Sequence, residues 1–380
     1  MFRKYPELFI DPKENYPIHD LDRPFSDYIE KCKTFIAKTR LDLSKNADEI
    51  IEANSPFELV PAKKPRYGAL LLHGLFDSPF IVRDIGESLR AHGGLVRSIL
   101  LPGHGTVPGG LLSVTYEDWL QALRYGIATL EKEVEKIILV GFSTGATLAL
   151  YHALKNETSL AALVFAAPAL KIKSHFDFAL NWHRVISWAW PRAKWISIRE
   201  ENNYTTYKSC AFNGAYQLYR LINEIKQLDE KNSLPCPLFC ALSEDDVTVS
   251  SAATMNYFQK KTNPKNRLIL YSNRSPSFDD ARITVRRAAY PEFHIDNLSH
   301  LAIPISPSNT YLGKNGTFIN ASREKESDVV YTESLQEAVD FNNWLYQLKI
   351  RKTRYLRSTF NPDFEFMMQS IWTFLDEILR

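Results

Sequence analysis

The sequence lacks the features that mark several functional classes. Its 46 Lys and Arg against 44 Asp and Glu leave a net charge of only +2 over 380 residues, so the clustered cations that neutralise phosphates are missing and no nucleic-acid partner is expected. Four cysteines, Cys32, Cys210, Cys236 and Cys240, are too few to form a disulfide framework in a chain of this length and fit a reducing compartment. Cys236 and Cys240 share an apolar run that reads as a strand, where four residues span roughly 13 Å, too far for a bridge. The opening residues, Met-Phe-Arg-Lys-Tyr-Pro-Glu, reach proline and charge before any apolar core, so no export signal is expected. The most apolar stretch, about 160–170, is broken by Pro168 and falls short of the ~20 residues that span a bilayer. No metal-ligand spacing, phosphate-cradling glycine loop or repeat period is present, so neither metal nor cofactor is expected. A cytoplasmic globular protein follows, its 45% hydrophobic and 24% charged residues leaving ample material for a core.

What is present is an alternation. From Phe57 onward, apolar runs suited to strands buried on both faces, such as Tyr67–Leu72 and Lys136–Val140, alternate with helical patterns at about 79–91, 116–132 and 145–154. This is the pattern of βαβ units in a parallel sheet. The alternation stops after Pro168 and resumes at Pro237. Four of the seven tryptophans, Trp182, Trp188, Trp190 and Trp195, fall in the helix-leaning interval, which reads as an inserted cap. The expected organisation is an N-terminal extension over 1–54, a first core part over 55–169, a cap over 170–232 and a second core part over 233–380. The stretch from Ser272 to about Asp328 reads as irregular. Two helices, at about 332–348 and 363–379, finish the chain, and the basic cluster between them (Lys349, Arg351, Lys352, Arg354, Arg357) reads as a solvated face that allows at most peripheral membrane contact.

The chemistry centres on Gly141-Phe142-Ser143-Thr144-Gly145, a G-x-S-x-G motif directly after an apolar strand and opening a helix. That context makes a nucleophile elbow: a turn so tight that the serine takes a strained positive φ, with small residues two positions to either side where strand and helix meet. A serine hydroxyl needs a base to take its proton and a carboxylate to orient that base. In such folds the order is nucleophile, acid, base, which directs attention to His300 in Asn297-Leu-Ser-His-Leu301, with His294 as its alternative. His175 and His183 precede every candidate acid, and His73 and His104 read as loop-packing residues. Among Glu244, Asp245 and Asp246, which follow the strand at 237–242, Asp246 is the choice because it precedes the core residue Val249 by three; Asp245 is second. The oxyanion formed on attack needs two backbone N–H donors, one from the residue after the nucleophile. These are Thr144 and, in the loop His73-Gly-Leu-Phe-Asp-Ser-Pro79, Leu75, with Phe76 as fallback.

His73-Gly74, Leu101-Pro-Gly-His-Gly105, Gly141-Phe-Ser-Thr-Gly145, Asp246-x-x-Val249 and Ser299-His300, in this order, resemble the α/β-hydrolase superfamily. Within it, the chain is similar to bacterial carboxylesterases and monoacylglycerol lipases. The resemblance covers about 57–310 and the last helix. It implies a mostly parallel twisted sheet with helices on both faces and a helical cap, with Ser143 as nucleophile, Asp246 as acid, His300 as base and the Leu75 and Thr144 N–H groups as oxyanion donors. The longer insertion at 272–297 is a departure that bears on the place of the base. The implied activity is cofactor-free cleavage of a medium acyl or aryl ester, a monoacylglycerol among them. Phe76, Phe142, Trp182 and Trp188 are the candidate substrate contacts. The alternatives are a thioesterase, acyltransferase or peptidase with the same triad, or a catalytically silent binding protein.

Overall fold

The computed structural model describes residues 6–12, 16, 20–43, 46–156, 158–172, 191–293, 295–318 and 357–380. The chain forms two compact units, one of Met1–Val164, Ser174–Pro237 and Ile378–Arg380, the other of Phe165–Lys173 and Leu238–Glu377.

The first unit is built on the strands β1 (Phe57–Leu59), β2 (Tyr67–Leu72), β3 (Gly94–Ser98) and β4 (Ile137–Phe142), in the order β1-β3-β2-β4. β1 runs antiparallel to β3, and β2 pairs in parallel with both β3 and β4. Every residue of β2 and β4 is buried, which is why both runs lack the apolar–polar alternation of a strand with one wet face. The helices α1 (Phe25–Thr39), α2 (Ala47–Asn54), α3 (Arg83–Ala91), α4 (Tyr116–Glu131) and α5 (Thr144–Lys155) belong to the same unit. A reciprocal capping box sets the start of α4: the Thr115 side chain accepts from the Asp118 N–H and the Asp118 carboxylate accepts from the Thr115 N–H. β5 (Ala162–Ala166) follows, the Ala161 N–H donating to the Ile137 carbonyl at 2.8 Å. After the interval 173–190 come an antiparallel pair, β6 (Trp195–Ser197) with β7 (Cys210–Ala211), and the 20-residue helix α6 (Phe212–Lys231). Trp195 is buried here, whereas Trp182, Trp188 and Trp190 lie outside the described residues.

The second unit carries the parallel strands β8 (Leu238–Ser243), β9 (Arg267–Tyr271) and β10 (Ile283–Arg286), in that order, with helix α7 (Ser251–Lys260) crossing from β8 to β9. A two-residue strand β11 (Asn297–Leu298) pairs in parallel with β12 (Arg357–Ser358), and α8 (Phe364–Leu379) lays Phe374 against Phe239 of β8 at 5.7 Å. β10 falls inside the stretch that reads as irregular in sequence. It is only four residues long and largely half-exposed, so it never shows the continuous apolar run by which buried strands are recognised. The helix expected at 332–348 and the basic residues Lys349, Arg351, Lys352 and Arg354 lie outside the described residues.

Candidate active site

In the first unit, β4 hands over to α5 through a single residue. Ser143 has φ 52° and ψ −113°, a conformation that L-residues with side chains rarely hold unless the surroundings enforce it. Two close approaches do so. A Cβ on Gly145 would lie 2.7 Å from the His73 carbonyl oxygen, and one on Gly141 would lie 2.6 Å from the Gly145 carbonyl carbon. Helix α5 can start this close to the ends of β2 and β4 only because both positions are bare, and that close packing holds the sharp turn between them. The Ser143 carbonyl accepts from the N–H groups of Ala146 and Thr147, at 3.1 and 3.2 Å, and so closes the first turn. Thr144 opens the helix, where backbone N–H groups have no intrahelical partner and favour negative charge.

The contact of Gly145 with the end of β2 also brings α5 against the loop that begins at His73. Both ring nitrogens of His73 are engaged: Nδ1 donates to the Gly74 carbonyl at 2.9 Å and Nε2 accepts from the Leu101 N–H at 3.0 Å. Burial, with the neighbouring His104, holds its pKa well below the usual histidine value. His104 is likewise buried, its Nδ1 donating to the Leu101 and Pro102 carbonyls, and burial pushes its pKa down to about 4. Leu75 and Phe76 are half-buried, and Phe76 is itself strained at φ 68°. Phe142 is fully buried, its ring backing Gly74.

In the second unit the end of β8 and the segment after β11 are joined by a short network. Asp246 Oδ2 lies 2.6 Å from His300 Nδ1, while Oδ1 accepts from the N–H groups of Thr248 and Val249 at 2.8 and 3.1 Å. Burial alone would raise the Asp246 pKa, but the His300 ring and these donors outweigh it and the carboxyl is held below the usual carboxylate value. An ionised carboxylate only accepts, so the proton sits on Nδ1 and Nε2 is the acceptor of the ring. Glu244, by contrast, turns to the Ser272 hydroxyl and to Arg274. Two serines that sequence reasoning passed over hold His300 in register. Ser243 Oγ donates to the Leu298 carbonyl at 2.8 Å; Ser299 Oγ donates to the Ser358 carbonyl at 2.7 Å and accepts from the Ala302 N–H. Nothing in the sequence distinguishes them from other serines, because their partners are carbonyls remote in the chain. His294, His175 and His183 lie outside the described residues.

The comparisons with known proteins bear on this arrangement. The family described as "Serine aminopeptidase, S33" matches residues 63–274, more than half of the chain. A thermostable monoacylglycerol lipase of Bacillus sp. (strain H-257) is 34% identical over 86 residues, 23% of this chain and 34% of that protein's length. The alignment thus spans about a third of that relative. A solved structure from work on two metagenome-derived lipolytic enzymes, LipS and LipT, superposes with a TM-score of 0.50 at 20% identity, covering 58% of this chain and 88% of the other. At that identity the likeness is one of fold.

Proposed function

The chain belongs to the family of serine aminopeptidase, S33, and has its α/β-hydrolase fold; from that premise we propose that it is a serine hydrolase acting on carboxylic esters. The observation that carries the proposal is the strained Ser143 at the β4–α5 turn. In this reading the Ser143 hydroxyl attacks the acyl carbonyl as His300 Nε2 takes its proton, and the Asp246 carboxylate stabilises the imidazolium that results. The N–H groups of Leu75 and Thr144 receive the oxyanion. Collapse expels the alcohol, which takes the proton back from His300, and water then cleaves the acyl-serine by the same route. The family match ends at 274, so the choice of His300 rests on its bond to Asp246. The insert at 170–232 is read as the cap, with Phe76, Trp182 and Trp188 as substrate contacts; Phe142 leaves that set, because its ring is fully buried behind Gly74 and has no surface to offer a substrate.

A monoacylglycerol or a comparable medium-chain ester is the preferred substrate class, supported by the name of the Bacillus relative. The family's own description supports a second reading, hydrolysis of an N-terminal peptide bond. Treatment with a fluorophosphonate, read by intact mass, tests the proposal: one adduct is expected, and none on Ser143→Ala. An unlabelled folded protein overturns it. Parallel assays on p-nitrophenyl acyl esters and aminoacyl p-nitroanilides separate the two readings.

A further inference from the structure

Phe76 is the unusual residue in the loop that follows β2. It is aromatic, not glycine, yet it sits at φ 68°. Strain of this kind persists only where neighbours over-determine it, and it gathers where a backbone must aim a group. The restraint comes from the insert: the Tyr207 N–H donates to the Phe76 carbonyl at 2.7 Å. Tyr207 is in turn fixed by its own side chain. Its hydroxyl accepts from the Thr106 N–H at 2.7 Å and donates to the Gly103 carbonyl at 3.3 Å, and its ring lies parallel to that of His104.

The N-terminal segment grips the same group of loops. Asn54, itself buried, donates from Nδ2 to the Tyr204 carbonyl at 2.8 Å, and the Tyr204 hydroxyl donates to Glu49 of α2 at 2.7 Å. Arg40 reaches the Gly105 carbonyl, and the hydroxyls of Tyr16 and Tyr28 donate to that of Leu100. Phe9 meets Trp195 edge to face at 4.7 Å. The residues that precede the family match thus hold both the insert around Tyr207 and the loop to which its hydroxyl is anchored.

We propose that Tyr207, whose surroundings are held by the N-terminal segment, is a positioning residue: it holds the Phe76 peptide in its strained form and thereby aims the N–H group of Leu75 at the oxyanion. The proposal rests on the ester-hydrolase reading for its kinetic consequence but not for its physical one. Tyr207→Phe removes the hydroxyl and keeps the ring; Asn54→Ala removes the N-terminal hold on Tyr204. In both variants the amides of 74–77 should exchange with deuterium about tenfold faster or more. In Tyr207→Phe, kcat on an acyl ester should fall roughly ten- to a hundredfold with KM nearly unchanged, the sign of a misplaced transition-state donor. A merely structural role would lower the melting temperature and leave kcat where it was. If Tyr207→Phe does not fold, Asn54→Ala decides, with the same exchange result and a smaller loss in kcat. Unchanged exchange at 74–77, or unchanged kcat in an active enzyme, overturns the proposal. If the wild-type chain itself proves inactive on esters, the functional reading fails and the exchange measurement alone judges the clamp.

Discussion

The Asp246 carboxylate spends its two oxygens on different tasks, and a single substitution separates them. Oδ1 serves the turn through Thr248 and Val249, and Oδ2 serves His300. Asp246→Asn keeps an oxygen for the turn and presents an amide N–H₂ to His300. Nδ1 must then accept, the proton moves to Nε2, and the ring can no longer act as a base there. Turnover is predicted to fall by about 10⁴ with the fold retained, the scale expected for a wrong tautomer; a variant within tenfold of wild type, measured on an activated ester, contradicts this. The turn at Asp246 was legible in its spacing to Val249, and the Asp246 side chain accepts from the N–H groups two and three residues on, as an aspartate opening a turn does. The two glycines of the elbow were legible for a similar reason: their effect is local and steric. Ser243 and Ser299 were not, since a hydroxyl's partner across 55 or 59 residues leaves no local trace.

Elements were readable where they are continuous and buried, as β2 and β4 are, and unreadable where pairing alone defines them, as in β10 and β11. The loop Leu101–Thr106 shows what an element without regular structure contributes to stability. His104 sits at its centre, buried and neutral, with a pKa of about 4 against about 6.5 for an exposed histidine. Between these values the unfolded chain binds a proton that the folded chain refuses. The contribution is therefore fully present above pH 6.5 and is lost as pH falls toward 4, by about 3 kcal/mol on the order-of-magnitude scale. His73 acts in the same direction. His104→Asn can keep the donor to the Leu101 and Pro102 carbonyls without the titration. Denaturant unfolding from pH 6.5 to 4 is predicted to show a shallower loss of stability in the variant; an unaltered slope contradicts the assignment.

At the scale of the molecule, the order of motifs specified the fold class, because in these sheets nucleophile, acid and base come in that chain order, each after a later strand. The N-terminal 54 residues gave no such guide. Their work is done through hydrogen bonds to carbonyls of Leu100, Gly105 and Tyr204, and a carbonyl carries no residue identity. No helix among the described residues is long and apolar enough to cross a membrane. The central claim, that Ser143 is the nucleophile, is tested most directly by steady-state hydrolysis of a p-nitrophenyl acyl ester. Ser143→Ala is predicted to lower kcat by at least ~10³ while the variant unfolds at the wild-type temperature. A folded variant that keeps most of the wild-type rate would contradict it.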